Sequence, residues 1–417
     1  MKILIPSDII PSKEHNIRAG NIVLYNIIKG FLNKGVQVDF LYFNNDNKKI
    51  NISDIDLLRN KRFNFVTELK FKPHTKDNYW KKFKKVFLPN MYDLFPILFL
   101  KANVKKEVQK IKPDWIFIFW SENLTHLFAN IESKVFAYYG NPLCKNMKAS
   151  NFLLEKFRSN FFQKLLQNIY LYNLSKIHHR IMKNIDIIGN VAKNDALYYK
   201  NKGHKNSFYI TNTWFNKFSD IQIKKEINKN YKTNIFRIAA NLGKLNGTAN
   251  TYGLIYLFDR LVPVLNEVFK NEKFQLHIFG SGKPESYVLK KSIFKNVIFR
   301  GYVRNIDQAL LQCPVFLCCN NATRYNVGHT RYLHAWTLGR CVVSHNNVRL
   351  AMPELKHNFN CLLGKDEYEI AQNIYKVYKN KKLFKTISCN GFDEFKKSFR
   401  SDIVVDKILK KMKSYKD

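Results

Sequence analysis

Short, continuously apolar runs alternate with amphipathic stretches along almost the whole chain, and this alternation constrains the fold more than any other feature. KILIPSDI at the start, VQVDFLYF from Val36, DWIFIFW from Asp114 and KVFAYYG from Lys134 read as strands. Between them stand helix-period segments such as GNIVLYNIIKGFLNKG, ending at Gly35, and KKEVQKIK. A strand that is apolar along its length, rather than at alternate positions, is buried on both faces. Such strands separated by helices form a parallel sheet covered on both sides. A long amphipathic stretch follows, with Leu153, Phe157, Phe161, Leu165, Ile169, Leu174, Ile177 and Ile181 near helical spacing. DIIGN, a helix around Ala192 to Lys202, and SFYITN close this half.

The polar stretch WFNKFSDIQIKKEINKNYKT breaks the alternation, which then restarts with IFRIAANLG, FQLHIFGSG, NVIFRGYV, PVFLCC and CVVSH. The pattern predicts an α/β protein with two Rossmann-like doubly wound domains facing a cleft. We expect an N-terminal domain over 1–213, a linker over 214–233, a C-terminal domain over 234–380, and a basic helical tail over 381–417 that packs back on the first domain. Doubly wound sheets bind ligands outside the carboxyl ends of their strands.

Composition narrows the setting. At 417 residues the chain can bury two cores, and an apolar fraction of 46% excludes a disordered or fibrous protein. MKILIPSDIIPS is too short an apolar run for a signal peptide, and VFLPNMYDLFPILFL carries Asp93 and two prolines, so it does not read as a membrane span. The seven cysteines include no C-x-x-C pair, which argues against a disulfide framework or a zinc site and for a reducing, cytoplasmic setting. The net charge of +38 is spread over both halves, which fits compositional drift or selection for an anionic partner. Its field attracts phosphates, nucleic acids and anionic membranes all the same. YWKKFKKVF, from Tyr79 to Phe87, interleaves aromatics with lysines. It fits an anionic membrane surface, single-stranded nucleic acid or a plain solvated helix face.

Four strand-to-loop junctions in the second half carry chemistry. NLGKLNG puts Lys244 beside Gly243, and FGSGKP repeats the arrangement with Gly280 and Gly282. RGYVRNID offers backbone at Tyr302 and Val303 after the next strand. VGHTRYLHAWTLGRCVVSH presents Gly328, His329, Thr330 and Arg331 where a helix begins, with Trp336 and Leu338 packing that helix on the sheet. Glycine lets backbone approach a ligand, and the free N–H groups of a helix start favour a phosphate. Lys244 and Arg331 add fixed positive charge suited to a diphosphate. Singly these are ordinary turn chemistry; in series along one sheet edge they point to a nucleotide-diphosphate site.

From about Ile235 to Lys379 the chain resembles the donor domain of GT-B glycosyltransferases, in particular the large retaining family 4. The points of resemblance are Gly243-Lys244, a helix with a late Pro263, Gly280 and Gly282, Gly301-Tyr302-Val303, the signature GHTRYLHAWTLGRCVV, and MPELKHNFNCLL. In the first half Arg18-Ala19-Gly20 and the segment ending at Asn212 match more loosely. The resemblance implies transfer of a sugar from a nucleotide-diphosphate sugar, with no cofactor beyond that donor and no metal. It assigns nucleotide-sugar binding to Gly20, Gly243, Lys244, Gly280, Gly328, His329, Thr330 and Arg331, with the diphosphate on Gly328 to Arg331 and the base in the loop of Tyr302 and Val303. The family carries a pair of glutamates in the signature, the second commonly on the donor ribose; here His334 holds that place and Asn326 the approximate first. Histidine still hydrogen-bonds a hydroxyl, so His334 is expected on the ribose.

Catalysis of this type rests on leaving-group stabilisation by Lys244 and Arg331, with a polar group of the first half near the acceptor hydroxyl. Glu122 and Asp8, each directly after a strand, are the candidates, and each also reads as a solvated loop acid or a helix cap. Tyr139-Gly140 stands where many relatives have a histidine. Cys318-Cys319 reads as core, and His178-His179, on a basic helix, as solvated. The expected protein is a cytoplasmic glycosyltransferase, peripheral on the inner face of an anionic membrane, acting on a glycan or lipid-linked acceptor in surface-polysaccharide synthesis. Nucleic acid is the less expected partner. A basic binding protein on a degenerate transferase fold and a sugar-nucleotide epimerase are the alternatives.

Overall fold

A computed structural model describes residues 1–13, 19–44, 55–70, 86–87, 96–140, 142–157, 161–229, 235–240, 242–270, 272–322 and 326–415. The chain divides into two compact units, Met1–Ile210 with Val404–Asp417, and Thr211–Ile403. Tyr79 to Lys85 and Arg18, singled out above, lie outside the described residues.

The first unit is built on β1 (Lys2–Ser7), β2 (Gln37–Asn44), β3 (Phe63–Lys70), β4 (Trp115–Phe119), β5 (Val135–Tyr139), β6 (Ile187–Asn190) and β7 (Ser207–Tyr209). Their order is β3-β2-β1-β4-β5-β6-β7 and every pairing is parallel. Side chains of β4 and β5 are buried at every position, as continuous apolar runs require. The helix Ala19–Asn33 stops in a Schellman turn. Val36 N–H donates to Phe31 O and Gly35 N–H to Leu32 O, both at 3.1 Å, with Gly35 at φ 76°. The helix leans on the sheet through Phe31, whose ring meets Phe117 edge-on at 5.4 Å.

The second unit repeats the plan with β8 (Phe236–Ala240), β9 (Phe274–Phe279), β10 (Val297–Gly301), β11 (Val315–Cys318), β12 (Cys341–His345) and β13 (Leu362–Gly364). Its order is β10-β9-β8-β11-β12-β13, again all parallel. The α/β reading with two doubly wound parallel sheets therefore holds. In each sheet the strand order reverses beside the first strand, between β1 and β4 and between β8 and β11, the place where adjoining loops diverge.

The polar stretch after Asn212 contains a helix, Asp220–Asn228, started by a capping box between Ser219 and Gln222. Its Ile223 and Ile227 are buried against Gly339, where a Cβ would stand 2.6 Å from Ile227 Cγ1. Thr211 and Thr213 donate their hydroxyls to the carbonyls of Ser398 and Phe399, at 2.9 and 2.8 Å. Of the last helices, Lys381–Ser398 packs within the second unit. Ser401–Ser414 runs into the first, where Tyr415 meets Trp115 edge-on at 5.7 Å and donates to Asp186.

Trp336 fixes the helix Thr330–Thr337 in the second core. It is fully buried, its indole N–H donates to Asn360 O at 3.1 Å, and its ring lies over Gly391. A Cβ at Gly391 would come within 2.5 Å of the indole. Gly391→Ala should therefore lower stability by about 1–3 kcal/mol, the usual cost of overpacking, because neither the indole nor the Asn360 backbone has room to give. Urea unfolding of the two proteins measures it; an unchanged midpoint would mean that the ring is free to shift.

Candidate functional site

Three loops at the carboxyl edge of the second sheet are joined through their backbones. Ser281 N–H donates to Gly243 O and Leu245 N–H to Ser281 O, both at 2.9 Å, and Gly280 N–H donates to Gly301 O at 3.0 Å. The join leaves no room for a side chain at Gly280, where a Cβ would stand 2.2 Å from Gly243 O. Gly280 also has φ 153° and Gly243 φ 110°, backbone that glycine adopts without strain. The glycines read as phosphate-loop residues thus also set the loop geometry that leaves Lys244 exposed beside them.

Asparagines brace this edge across the switch point. Asn250 Nδ2 donates to Lys244 O at 2.5 Å, and Asn320 Nδ2, from the loop after β11, donates to Asn250 Oδ1 at 2.8 Å. Asn321 ties down the same loop through Val327 O at 3.1 Å and through His329 Nε2, 3.1 Å from its Oδ1. Reading the sequence missed all three, since an isolated asparagine carries no periodicity or spacing signal.

The helix Thr330–Thr337 starts from this braced loop, so Gly328 and Thr330 stand at its open end while buried His329 faces Asn321. Arg331 reaches back towards β8. Its Nη2 would lie 3.5 Å from a Cβ at Gly243, and its Nη1 is buried with no hydrogen-bond partner among the described residues. Lys244, Gly243, Gly280 and Arg331 are thereby gathered at one place on the sheet edge. Tyr302 and Val303 follow β10 two strands away, with Tyr302 61% exposed. His334, one turn past Arg331, is buried with its Nε2 2.7 Å from Asp307 Oδ1. Asp307 escaped the sequence reading because a single acid in a first helical turn looks like a cap.

The switch point of the first unit is occupied by Trp120. Its backbone has φ 47°, and its indole lies between Gly20 and Gly140, where a Cβ would be 3.6 and 3.2 Å from the ring. The indole N–H is buried without a partner among the described residues. Gly20 and Gly140 thus make room for an aromatic ring. Asp8 is half-buried in the loop after β1.

Glu122 begins the helix after Trp120 and is buried, with His178 Nε2 3.5 Å from its Oε1. Burial raises its pKa from 4.5 to about 8, against a backbone hydrogen bond from Leu143 that lowers it. The expectation that His178 is solvated is wrong. It is 2% exposed and bonded at 2.8 Å to both His126 and the Tyr199 hydroxyl, because the apolar side of its helix faces the core. His179 is bonded to His204 and Tyr198 at 3.0 and 2.9 Å. Burial drops His126 to about 3 and His179 to about 4. Tyr139 is buried too, stacked on Tyr199 at 5.8 Å. Cys318 and Cys319 are buried in the other unit, as expected of core thiols. Among the described residues no group of three or more His, Cys, Asp or Glu is placed to hold a metal ion.

Comparison with known proteins bears on the fold and on the second unit. Residues 237–380 match the family described as glycosyl transferases group 1. No curated protein matches the chain. Similar solved structures include HepE of Anabaena in complex with UDP and glucose, at 14% identity and TM-score 0.63, covering 99% of this chain and 100% of that one. Sucrose-phosphate synthase of Thermosynechococcus elongatus gives 13% and 0.63 over 98% and 97%. TarM of S. aureus gives 13% and 0.64 over 99% of each chain. The two parallel sheets are those of GT-B structures.

The buried carboxyl makes a pH prediction. Glu122 keeps a proton in the folded state that the unfolded chain releases above pH 4.5, so its stabilising contribution is lost as pH rises from there through about 8. Glu122→Gln removes that titration. Urea unfolding at pH 5, 7 and 9 should show the wild type losing more stability towards alkali than the variant; parallel profiles would reject a buried, protonated Glu122.

Proposed function

We propose, from the glycosyl transferases group 1 domain that residues 237–380 form, that the protein transfers a sugar from a nucleotide-diphosphate sugar to a glycan or lipid-linked acceptor. One observation carries the reading: the Arg331 guanidinium is held against Gly243 with a buried Nη1 that has no hydrogen-bond partner among the described residues. A buried cationic donor without an acceptor costs free energy unless a ligand supplies one. A diphosphate does so, with Lys244 and the N–H groups at Gly328 to Thr330 beside it. HepE, of the same fold, was solved with UDP and glucose, which supports this choice of ligand.

In this mechanism Arg331 and Lys244 stabilise the negative charge that grows on the leaving nucleotide diphosphate as the bond between the sugar and its phosphate breaks. Tyr302 and Val303 receive the base. Retention of configuration, as in the family that the sequence resembles, needs no protein nucleophile. On the acceptor side we assign the polar contact to Asp8, because Glu122 holds its proton at neutral pH and in that form accepts none. Surface-polysaccharide synthesis is the context proposed. Lys244→Ala and Arg331→Ala should each lower kcat/KM about a hundredfold, roughly 3 kcal/mol of transition-state stabilisation, with unfolding midpoints unchanged. Turnover of UDP-, GDP- or ADP-sugars by both variants at near wild-type rates would remove the diphosphate site.

We further propose that the protein works on an anionic membrane surface, where lipid-linked acceptors are found. Among the described residues no helix is long and apolar enough to cross a membrane. The helix Phe161–Met182 instead exposes Phe161 (80%), Phe162 (64%), Leu165 (46%) and Tyr172 (68%). Lys164 lies among them and the whole chain is strongly basic, a combination suited to the headgroup boundary. Sedimentation with phosphatidylglycerol vesicles should fall steeply for Phe161→Ser/Phe162→Ser and with rising salt. Equal binding to zwitterionic vesicles, or no change in the double variant, would reject this face.

A further inference from the structure

The half of the second sheet formed by β10, β9 and β8 departs from the rule its other strands obey. Side chains of β11 and β12 are buried at every position. In FRIAA of β8, FQLHIF of β9 and VIFRG of β10, polar residues enter at alternate positions, which gives the two faces different characters. Phe236, Ile238, Phe274, Leu276 and Ile278 join the core, with Phe299 packed on it. The registers Arg237 to Gln275 and Ala239 to His277 put Arg237, Gln275 and His277 on the opposite face. A 3.4 Å contact from Arg300 Nε to His277 Nδ1 brings Arg300 to the same face.

This row is rich in donors and has used its acceptors on itself. Arg300 Nε–H donates to His277 Nδ1, and His277 Nε2–H donates to Gln275 Oε1 at 3.0 Å. The Gln275 amide N–H groups and the ends of both guanidinium groups are left over. Arg237 is half-buried, and its Nε is fully buried with no hydrogen-bond partner among the described residues. Among those residues neither Arg237 nor Arg300 has an ion pair with a carboxylate. Burial and the charges of Arg300 and Arg237 lower His277 to about 4, so its ring is neutral. Burial pushes the Cys313 thiol, just ahead of β11, up to about 12, and the charges that oppose it are Arg237, Arg340 and Arg300. No carboxylate acts on either group. Positive charge is thus concentrated on a partly buried face without an acid to balance it.

We propose that this face is a second anion site, which takes a phosphate dianion, free or as a monoester, between Arg237 and Arg300 with the Gln275 amide beside it. Two fixed positive charges match two negative ones, and planar guanidinium forks suit the oxygens of a phosphate. Arg300 is exposed, so a monoester can extend from the site into solvent. The site lies on the face of the sheet, one residue behind Gly301, whose carbonyl accepts from Gly280 N–H at 3.0 Å. It is separate from the glycine loops, and the inference stands whether or not those hold a nucleotide.

Thermal unfolding and calorimetry of the full-length chain test it, with inorganic phosphate as the probe and chloride at equal ionic strength as the reference. The Lys244→Ala/Arg331→Ala variant is the background, since it removes the cations of the glycine loops. Phosphate should raise its unfolding midpoint, and calorimetry should give one site. Adding Arg237→Gln or Arg300→Gln should weaken binding about ten- to a hundredfold, the worth of one charge-assisted hydrogen bond. Arg237→Lys, which keeps the charge without the fork, should fall between. Lys290→Gln takes the same charge from an exposed position in the connection between β9 and β10 and should leave binding as it was. β-Glycerophosphate binds more tightly than inorganic phosphate if the ligand is a monoester and more weakly if it is free phosphate; either order supports the site. Arg300→Gln, at an exposed side chain, decides the matter alone if Arg237→Gln does not fold. Three results overturn the site: no phosphate binding by the background variant at millimolar concentration, unchanged binding in the arginine variants, or equal weakening by Lys290→Gln. The last would mark a diffuse field of surface charge.

Discussion

Parallel strands cannot be joined by hairpins; each connection must cross back over a face of the sheet, and a helix is the economical way to do it. Every strand then points the same way, and every strand-to-helix loop falls on one edge. This constraint governs both units. It places Asp8, Gly20, Trp120 and Glu122 along the carboxyl edge of the first sheet, and Gly243, Gly280, Tyr302 and Arg331 along that of the second. The order reversal beside β1 and β8 then makes neighbours of loops far apart in the chain, which is how Trp120 comes to lie on Gly20 and Arg331 on Gly243.

The two switch points are used differently. In the first unit an indole fills the space that Gly20 and Gly140 leave, and behind it a buried set of Glu122, His126, His178 and Tyr199 is held in uncharged forms by desolvation. In the second unit the space is framed by backbone amides and cations, braced by Asn250 and Asn320. One sheet edge is thus closed by aromatic and neutral groups, and the other is left short of negative charge. The second is the edge to which the proposed function assigns an anionic ligand.

Rigidity at that edge comes from main-chain bonds more than from side-chain packing. The Gly243–Ser281 and Gly280–Gly301 links set the loop spacing before any ligand arrives, and preorganised dipoles and charges act on a developing charge without rearrangement. His334 fits this pattern, since Asp307 and Lys217 hold it from outside its own helix.

The amino-acid sequence by itself determined the layered α/β plan, the doubly wound halves and the glycine junctions, because burial on both faces leaves continuous apolar runs and tight turns demand glycine. GHTRYLHAWTLGRCVV was legible as a helix start after a strand for the same local reasons, and Cys318-Cys319 as core. Partners were not legible. Helical periodicity said that His178 lies on some face of its helix, but not that this face meets His126 and Tyr199. Nothing near His334 in the chain announces Asp307, and nothing near Arg331 announces Gly243, since each pair is joined only when strands from separate crossovers line up side by side. Local chemistry is written in short spacings; which charge meets which backbone is decided by strand order, and strand order is a property of the packed sheet.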